Sequence, residues 1–300
     1  MSTHPPHLCT MRPTLLHTTL CLSALLLAGC AKEDVPAPTP PVVVAPVTEH
    51  LTLGNPSGAT ADGSQPNNHL LSKHQYALAY NNSRGSATWV SWHTNSDWLG
   101  NAERCDCFQP DTTLPAGFFQ AQTWDYSGTG FDRGHLCPSA DRDANDADNA
   151  ATFLLSNIGP QAPQLNQGIW VELEDYARSL VYQGYEVYTI TGGRGSGGTG
   201  SFGGTTTTLA GGAITVPSHY WKVLLILPND DADDLPRITP DTRVIAVDIP
   251  NTQAASALPW GDYRTSVDAI EAATGLDLLN RIPAAVQAEL EAGVDSGPTQ

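Results

Sequence analysis

Apolar and polar residues alternate through residues 76–80 and again through 87–93, separated by Asn81-Asn82-Ser83-Arg84-Gly85. A period of two predicts strands, and the polar break with its glycine predicts the turn of a hairpin. Residues 185–191 and 221–227 are rich in aromatic and β-branched side chains and read as two further strands. Residues 166–182 and 265–273 carry apolar positions at helical spacing. Between them, residues 192–212 are mostly Gly, Ser and Thr, which predicts a long loop beside or at the rim of a site. That loop has no Gly-Lys-Ser/Thr ending, so a phosphate-cradling P-loop is disfavoured. No internal repeat is evident. The expectation is one sizeable domain of mixed helix and strand.

The first thirty residues read as targeting rather than fold. Met11-Arg12-Pro13 forms a short basic start, and residues 20–27 form an apolar stretch too short for a comfortable membrane span. Leu27-Ala28-Gly29-Cys30 then resembles a bacterial lipobox, which implies a lipidated Cys30 at the mature amino terminus. Ordinary secretory cleavage without lipid is the alternative. Ala31, where an Asp would favour retention, points to the outer membrane or cell surface. The chain is therefore expected to be exported and attached to the envelope through an N-terminal lipid anchor. Pro36, Pro38, Pro40, Pro41 and Pro46 predict an extended tether over residues 31–49. The expected organisation is a signal peptide over 1–30, the tether, one folded domain over 50–290, and a disordered tail over 291–300.

Candidate chemistry concentrates in Asp132-Arg133-Gly134-His135, followed by Pro138, and in a downstream series of Asn166, Glu174 and Arg178. Offsets of eight and twelve from Asn166 return to one helical face at 3.6 residues per turn. One helix can thus present an amide, a carboxylate and a guanidinium towards a His from a preceding loop. Phosphodiester hydrolysis needs an activated water, neutralised phosphoryl charge and a stabilised leaving oxygen. An imidazole, an oxygen ligand for a hard cation, a carboxylate and a planar cation supply those needs. Taken singly, each residue has a plainer reading. His135 could be a turn residue, Asn166 a helix N-cap, and Glu174 with Arg178 an i,i+4 surface pair. The order and spacing together favour the chemical reading.

This pattern resembles the DNA/RNA non-specific endonucleases, whose active site is a ββα-metal motif. The likeness runs from residues 132–142 through 152–161 to the 166–178 helix, with weaker matches at 216–222 and 270–275. It spans residues 50–288. The family implies an α+β fold, a central mostly antiparallel sheet flanked by helices. It implies His135 as general base, Asn166 as ligand of a divalent metal, and Glu174 as the carboxylate that holds the metal's waters. Mg²⁺ is the expected ion, with Mn²⁺ or another divalent cation as alternatives. Arg178 and Arg104 fall where the family places cations near the phosphate, and Arg133 joins them in binding nucleic acid. The implied activity is endonucleolytic hydrolysis of DNA and RNA, leaving 5′-phosphate ends. Two alternatives share these residues: a phosphodiesterase for a smaller anionic substrate, and a non-catalytic surface lipoprotein of the same fold.

Two features modify that picture. The formal charge is −17, from 14 Lys and Arg against 31 Asp and Glu, which opposes polyanion binding driven by cationic contacts. Local charge can override it, because Arg104, Arg133, Arg142 and Arg178 lie in the site segments and screening hides carboxylates beyond ~8 Å. Three cysteines, Cys105, Cys107 and Cys137, remain beyond the signal and Cys30. Export favours disulfides. Cys105 adjoins Arg104 and Cys137 is two residues from His135. If both flank one site, Cys137 is expected to bridge to Cys105 or Cys107. The rival is a zinc site, for which Cys-x-Cys spacing is poor.

Overall fold

A computed structural model describes residues 48–230 and 233–300. The expected signal peptide and most of the tether lie outside the described residues. In chain order the elements are β1 (His69–Ser72), β2 (Ala77–Asn81), β3 (Ser86–Thr94), β4 (Asp132–His135) and α1 (Asp146–Ala151). Then come β5 (Ile158–Gln161), α2 (Trp170–Tyr182), β6 (Tyr185–Arg194), β7 (Thr208–Leu209), β8 (Ile214–Thr215) and β9 (His219–Pro228). The chain closes with β10 (Arg243–Pro250), β11 (Arg264–Thr265), α3 (Val267–Thr274) and α4 (Ala284–Ala292).

The central sheet runs β1-β2-β3-β6-β9-β10-β11, and every neighbouring pair is antiparallel. This is the α+β architecture expected. Alternation along β9 sorts its side chains between two cores. Tyr220, Leu224 and Ile226 join Trp170, Leu173 and Leu180 of α2 on one face. Trp221, Val223, Leu225 and Leu227 join Val267, Ile270 and Leu290 of α3 and α4 on the other. Each such buried side chain stabilises by about 1.5–3 kcal/mol relative to exposure. The same parity that buries Tyr220 and Leu224 sends Lys222 to the α2 face.

The predicted hairpin is β2–β3, with Gly85 at φ 63° in its turn. The 166–182 helix is two pieces: a wide π-type turn over Leu165–Ile169, then α2. The second predicted helix begins later than expected. β11 takes Thr265, and the Ser266 hydroxyl caps α3 by accepting the Ala269 N–H. Part of the expected Gly-rich loop is strand, because β6 continues to Arg194 and β7 pairs with β8.

Two expectations are corrected. Asp132-Arg133-Gly134-His135 is a strand, not a loop: β4 pairs antiparallel with β5, Asp132 opposite Gln161 and His135 opposite Ile158. Only glycine fits at position 134, where a Cβ would stand 2.2 Å from Gln161 Oε1. The final ten residues are held rather than disordered. Arg243 donates to the Asp295 carboxylate and the Pro298 carbonyl, and Arg264 to Asp295 and the Gly297 carbonyl. These partners come from distant strands, so no local pattern announces them.

Candidate active site

β4, the π-type turn and α2 converge on one cavity of about 320 Å³. It is lined by Arg104, Arg133, His135, Asn166, Glu174 and Arg178, all six of the expected site residues. A larger cavity of about 570 Å³ lies against Tyr176, Arg243 and Pro298 and contains none of them.

β4 delivers His135 into an aromatic wall. Its ring meets Phe153 edge-on at 4.7 Å and Phe108 at 5.4 Å. The residue is 8 % exposed, and Nε2 has no hydrogen-bond partner among the described residues. Burial, with the Arg104 charge second, lowers the imidazole pKa to about 3. The imidazole is therefore neutral at the cavity wall, the form that can accept a proton from water.

The π-type turn places Asn166. Asp132 accepts the Asn166 Nδ2–H at 2.9 Å and the Gln167 Nε2–H at 2.7 Å. One carboxylate of β4 thus orients the amide, and no hydrogen bond among the described residues occupies the Asn166 side-chain oxygen. Two turns further, Glu174 is buried and accepts from Lys222 Nζ at 3.1 Å. The ammonium lies 4.1 Å from the centre of the Trp170 ring. Burial raises the Glu174 pKa, while the nearby Lys222 and Arg178 charges oppose the rise.

The arginines divide. Arg178 does not pair with Glu174: it donates to Asp141 at 2.8 Å and to Asp175, and its side chain is 13 % exposed. Arg104 bonds Asp106 through Nε and the Ser139 hydroxyl through Nη1, each at 2.8 Å, yet stays half exposed. Arg133 is exposed and has no carboxylate partner among the described residues; its guanidinium lies 4.2 Å from the centre of the Phe108 ring. Arg142, grouped with these in sequence, is fully buried. It donates to the carbonyls of Gln75, Asp141 and His93 and takes no part in the cavity.

The cysteine expectation is overturned. Cys105 bonds to Cys107, with Cα atoms 5.1 Å apart, and Cys137 is a free thiol buried in the α2-side core. Cys137 points into that core, whereas Cys105 is exposed and Cys107 half-buried. With both sulfurs of the Cys-x-Cys pair in a disulfide, the zinc alternative also lapses.

Sequence reasoning missed three residues: Lys222, which pairs with Glu174; Asp132, which fixes Asn166; and Asp141, which holds Arg178. Lys222 had a signal, being the one charge in the apolar run 220–227.

The model of the DNA/RNA non-specific endonucleases matches residues 54–285 of this chain. The chain belongs to that family. The nuclease is 45 % identical over 271 residues to a nuclease of Nostoc sp., covering 90 % of this chain and 95 % of that one. It is 30 % identical over 278 residues to a nuclease of Serratia marcescens, covering 91 % and 92 %. It is 32 % identical over 212 residues to human mitochondrial endonuclease G, covering 69 % and 68 %. A chain in the crystal structure of the EndoG/EndoGI complex shares the fold, with a TM-score of 0.64 at 23 % identity, over 78 % of this chain and 91 % of that one. This nuclease is therefore a hydrolase of nucleic acids, a non-specific endonuclease of DNA and RNA. Nucleases of the family depend in general on a divalent metal. The cavity suits one, because Asn166, whose side-chain oxygen carries no hydrogen bond among the described residues, and the acidic Glu174 both line it.

Proposed function

We propose that the nuclease cleaves phosphodiesters by a water that His135 deprotonates, beside a divalent cation, Mg²⁺ or Mn²⁺, held at Asn166. The observation that carries this is the buried, neutral His135 with Nε2 unbonded, in one cavity with Asn166 and Glu174. Arg104 and Arg133 receive the phosphate oxygens from the open side of the cavity. The His135 imidazole takes a proton as the water oxygen bonds to phosphorus. The bond from phosphorus to the 3′ oxygen breaks, and the leaving oxygen takes a proton from solvent water, giving a 5′-phosphate and a 3′-hydroxyl. Glu174, fixed by Lys222, would hold water beside the cation. The cation, when bound, supplies positive charge to the phosphoryl and leaving oxygens. Arg178 keeps the wall next to Glu174 cationic while anchored to Asp141.

The test is nicking of supercoiled plasmid by the fragment beginning at Glu49, with Mg²⁺ or with EDTA, beside His135→Ala and Asn166→Ala. Nicking with Mg²⁺ alone, lost by a factor of about 10³ or more in His135→Ala, is expected. Full activity in that variant removes His135 from the mechanism, and an unchanged metal requirement in Asn166→Ala removes Asn166 as ligand. The proposal includes an envelope location, supported by Leu27-Ala28-Gly29-Cys30. Failure of Cys30 to take up radiolabelled palmitate in growing cells would remove that part.

A further inference from the structure

The loop over residues 104–109 borders the cavity, and each of its ends is tied down. The Cys105 N–H donates to Asn149 Oδ1 at 3.0 Å. At the other end Gln109 and Leu154 form a β-bridge, with Gln109 N–H on the Phe153 carbonyl and Leu155 N–H on the Gln109 carbonyl. Between these anchors no backbone hydrogen bond is seen for Asp106, Cys107 or Phe108 among the described residues. Yet this stretch carries two groups that shape the site. Asp106 fixes Arg104 Nε, and Phe108 packs against both His135 and the Arg133 guanidinium. Asp106 also has a φ of 48°, a left-handed conformation uncommon for non-Gly residues though one that Asp tolerates better than most. The covalent constraint here is the disulfide that closes a small ring around Asp106.

We propose that the Cys105–Cys107 disulfide is a thiol-sensitive positioning element for Arg104. Closed, it holds Asp106 in its left-handed conformation, so the carboxylate meets Nε and the guanidinium presents its outer edge to the phosphate. Cys105 is exposed, so a dithiol can reach it. A dithiol thiolate attacks one sulfur, the Cys105–Cys107 bond breaks, and a mixed disulfide forms. The second dithiol thiol displaces that sulfur, leaving two cysteine thiols and the oxidised cyclic disulfide. Two electrons and two protons pass to the protein. Asp106 then relaxes to an ordinary backbone conformation and its carboxylate leaves Arg104. Substrate binding weakens while the chemistry at His135 proceeds. The inference rests on the reading of Arg104 as a substrate-side cation.

The experiment measures kcat and KM of the full chain on duplex DNA, oxidised and after dithiothreitol, with alkylation and mass spectrometry to verify that both thiols are free. The expected result is a rise in KM of about tenfold with kcat within about twofold. The Cys105→Ser/Cys107→Ser double variant should show the raised KM without reductant and no response to it. An unchanged or lowered KM with both thiols free overturns the proposal, as does a fall in kcat alone. Arg104→Ala separates the two levels. A raised KM that reduction no longer moves supports the proposal, whereas a wild-type KM in that variant overturns the reading of Arg104 itself.

Discussion

Burial, more than any hydrogen bond, gives His135 its character. An ordinary imidazole protonates near ~6.5, but this one stays neutral down to about 3 because Phe108, Phe153 and the Arg104 charge disfavour a cation there. Its ring protons should therefore show no NMR titration between pH 5 and 8, and a midpoint near 6.5 would contradict the burial described. The sign for stability follows. The unfolded chain protonates below ~6.5 and the folded one does not, so this residue's contribution is present above that pH and is lost as pH falls towards 3. Lys222 acts on Glu174 from the opposite side of the site. Lys222→Met should leave a buried carboxylate without its partner and cost about 3–5 kcal/mol, read from urea unfolding, together with much of the nicking activity. His135, Asn166 and Glu174 were legible because they lie within forty residues in an ordered spacing. Lys222 supports them from a strand 48 residues beyond Glu174, and spacing cannot show which face of α2 that strand will meet.

At the scale of elements, period-two alternation located the β2–β3 hairpin, and aromatic and β-branched content located β6 and β9, whose faces are buried in two different cores. It failed for β4, which has four residues and a glycine where Gln161 crosses close to the backbone. A strand that short carries no usable alternation, and its pairing with β5 is decided by that close approach. The contact of α4 with α3 brings three carboxylates together. Glu291 of α4 is buried with Asp268 and Glu271 of α3 nearby, and burial followed by those carboxylates pushes its pKa up to about 7. The folded state thus holds a proton that the unfolded chain has released above ~4.3. Stability from this group is greatest at low pH and is lost as pH rises to about 7. Tm should fall across pH 5 to 8 by this contribution, and Glu291→Gln should flatten that part of the curve. An identical slope in the variant would remove Glu291 as its source.

For the whole molecule, the charge of −17 coexists with a nucleic-acid substrate because cations are distributed unevenly. Arg178, Arg194, Arg237, Arg243 and Arg264 are each bound to carboxylates, whereas Arg133 has no carboxylate partner among the described residues and Arg104, though bonded to Asp106, is half exposed at the cavity. With about 0.9 counterions released per neutralised phosphate, two such contacts predict a slope near −2 for log affinity against log salt. Duplex binding by His135→Ala at fixed metal should give that value, and a slope steeper than about −5 would require a cationic surface that the described residues lack. The balance of charge was legible from composition, but its local distribution was not, since it depends on which carboxylate each guanidinium meets across the fold.

The sheet order holds one more consequence. β3 pairs with β6 across an excursion of some ninety residues that carries His135, Asn166 and Glu174, and the lysine that steadies Glu174 arrives only with β9. Pairing across so long a separation is slow, because the chain must close the loop before any contact rewards it. A nascent chain can therefore contain every group that touches substrate and still lack the scaffold that aligns them. Truncation before β9 should therefore leave the cavity residues present but Glu174 without its lysine, and a fragment ending there should show no nicking.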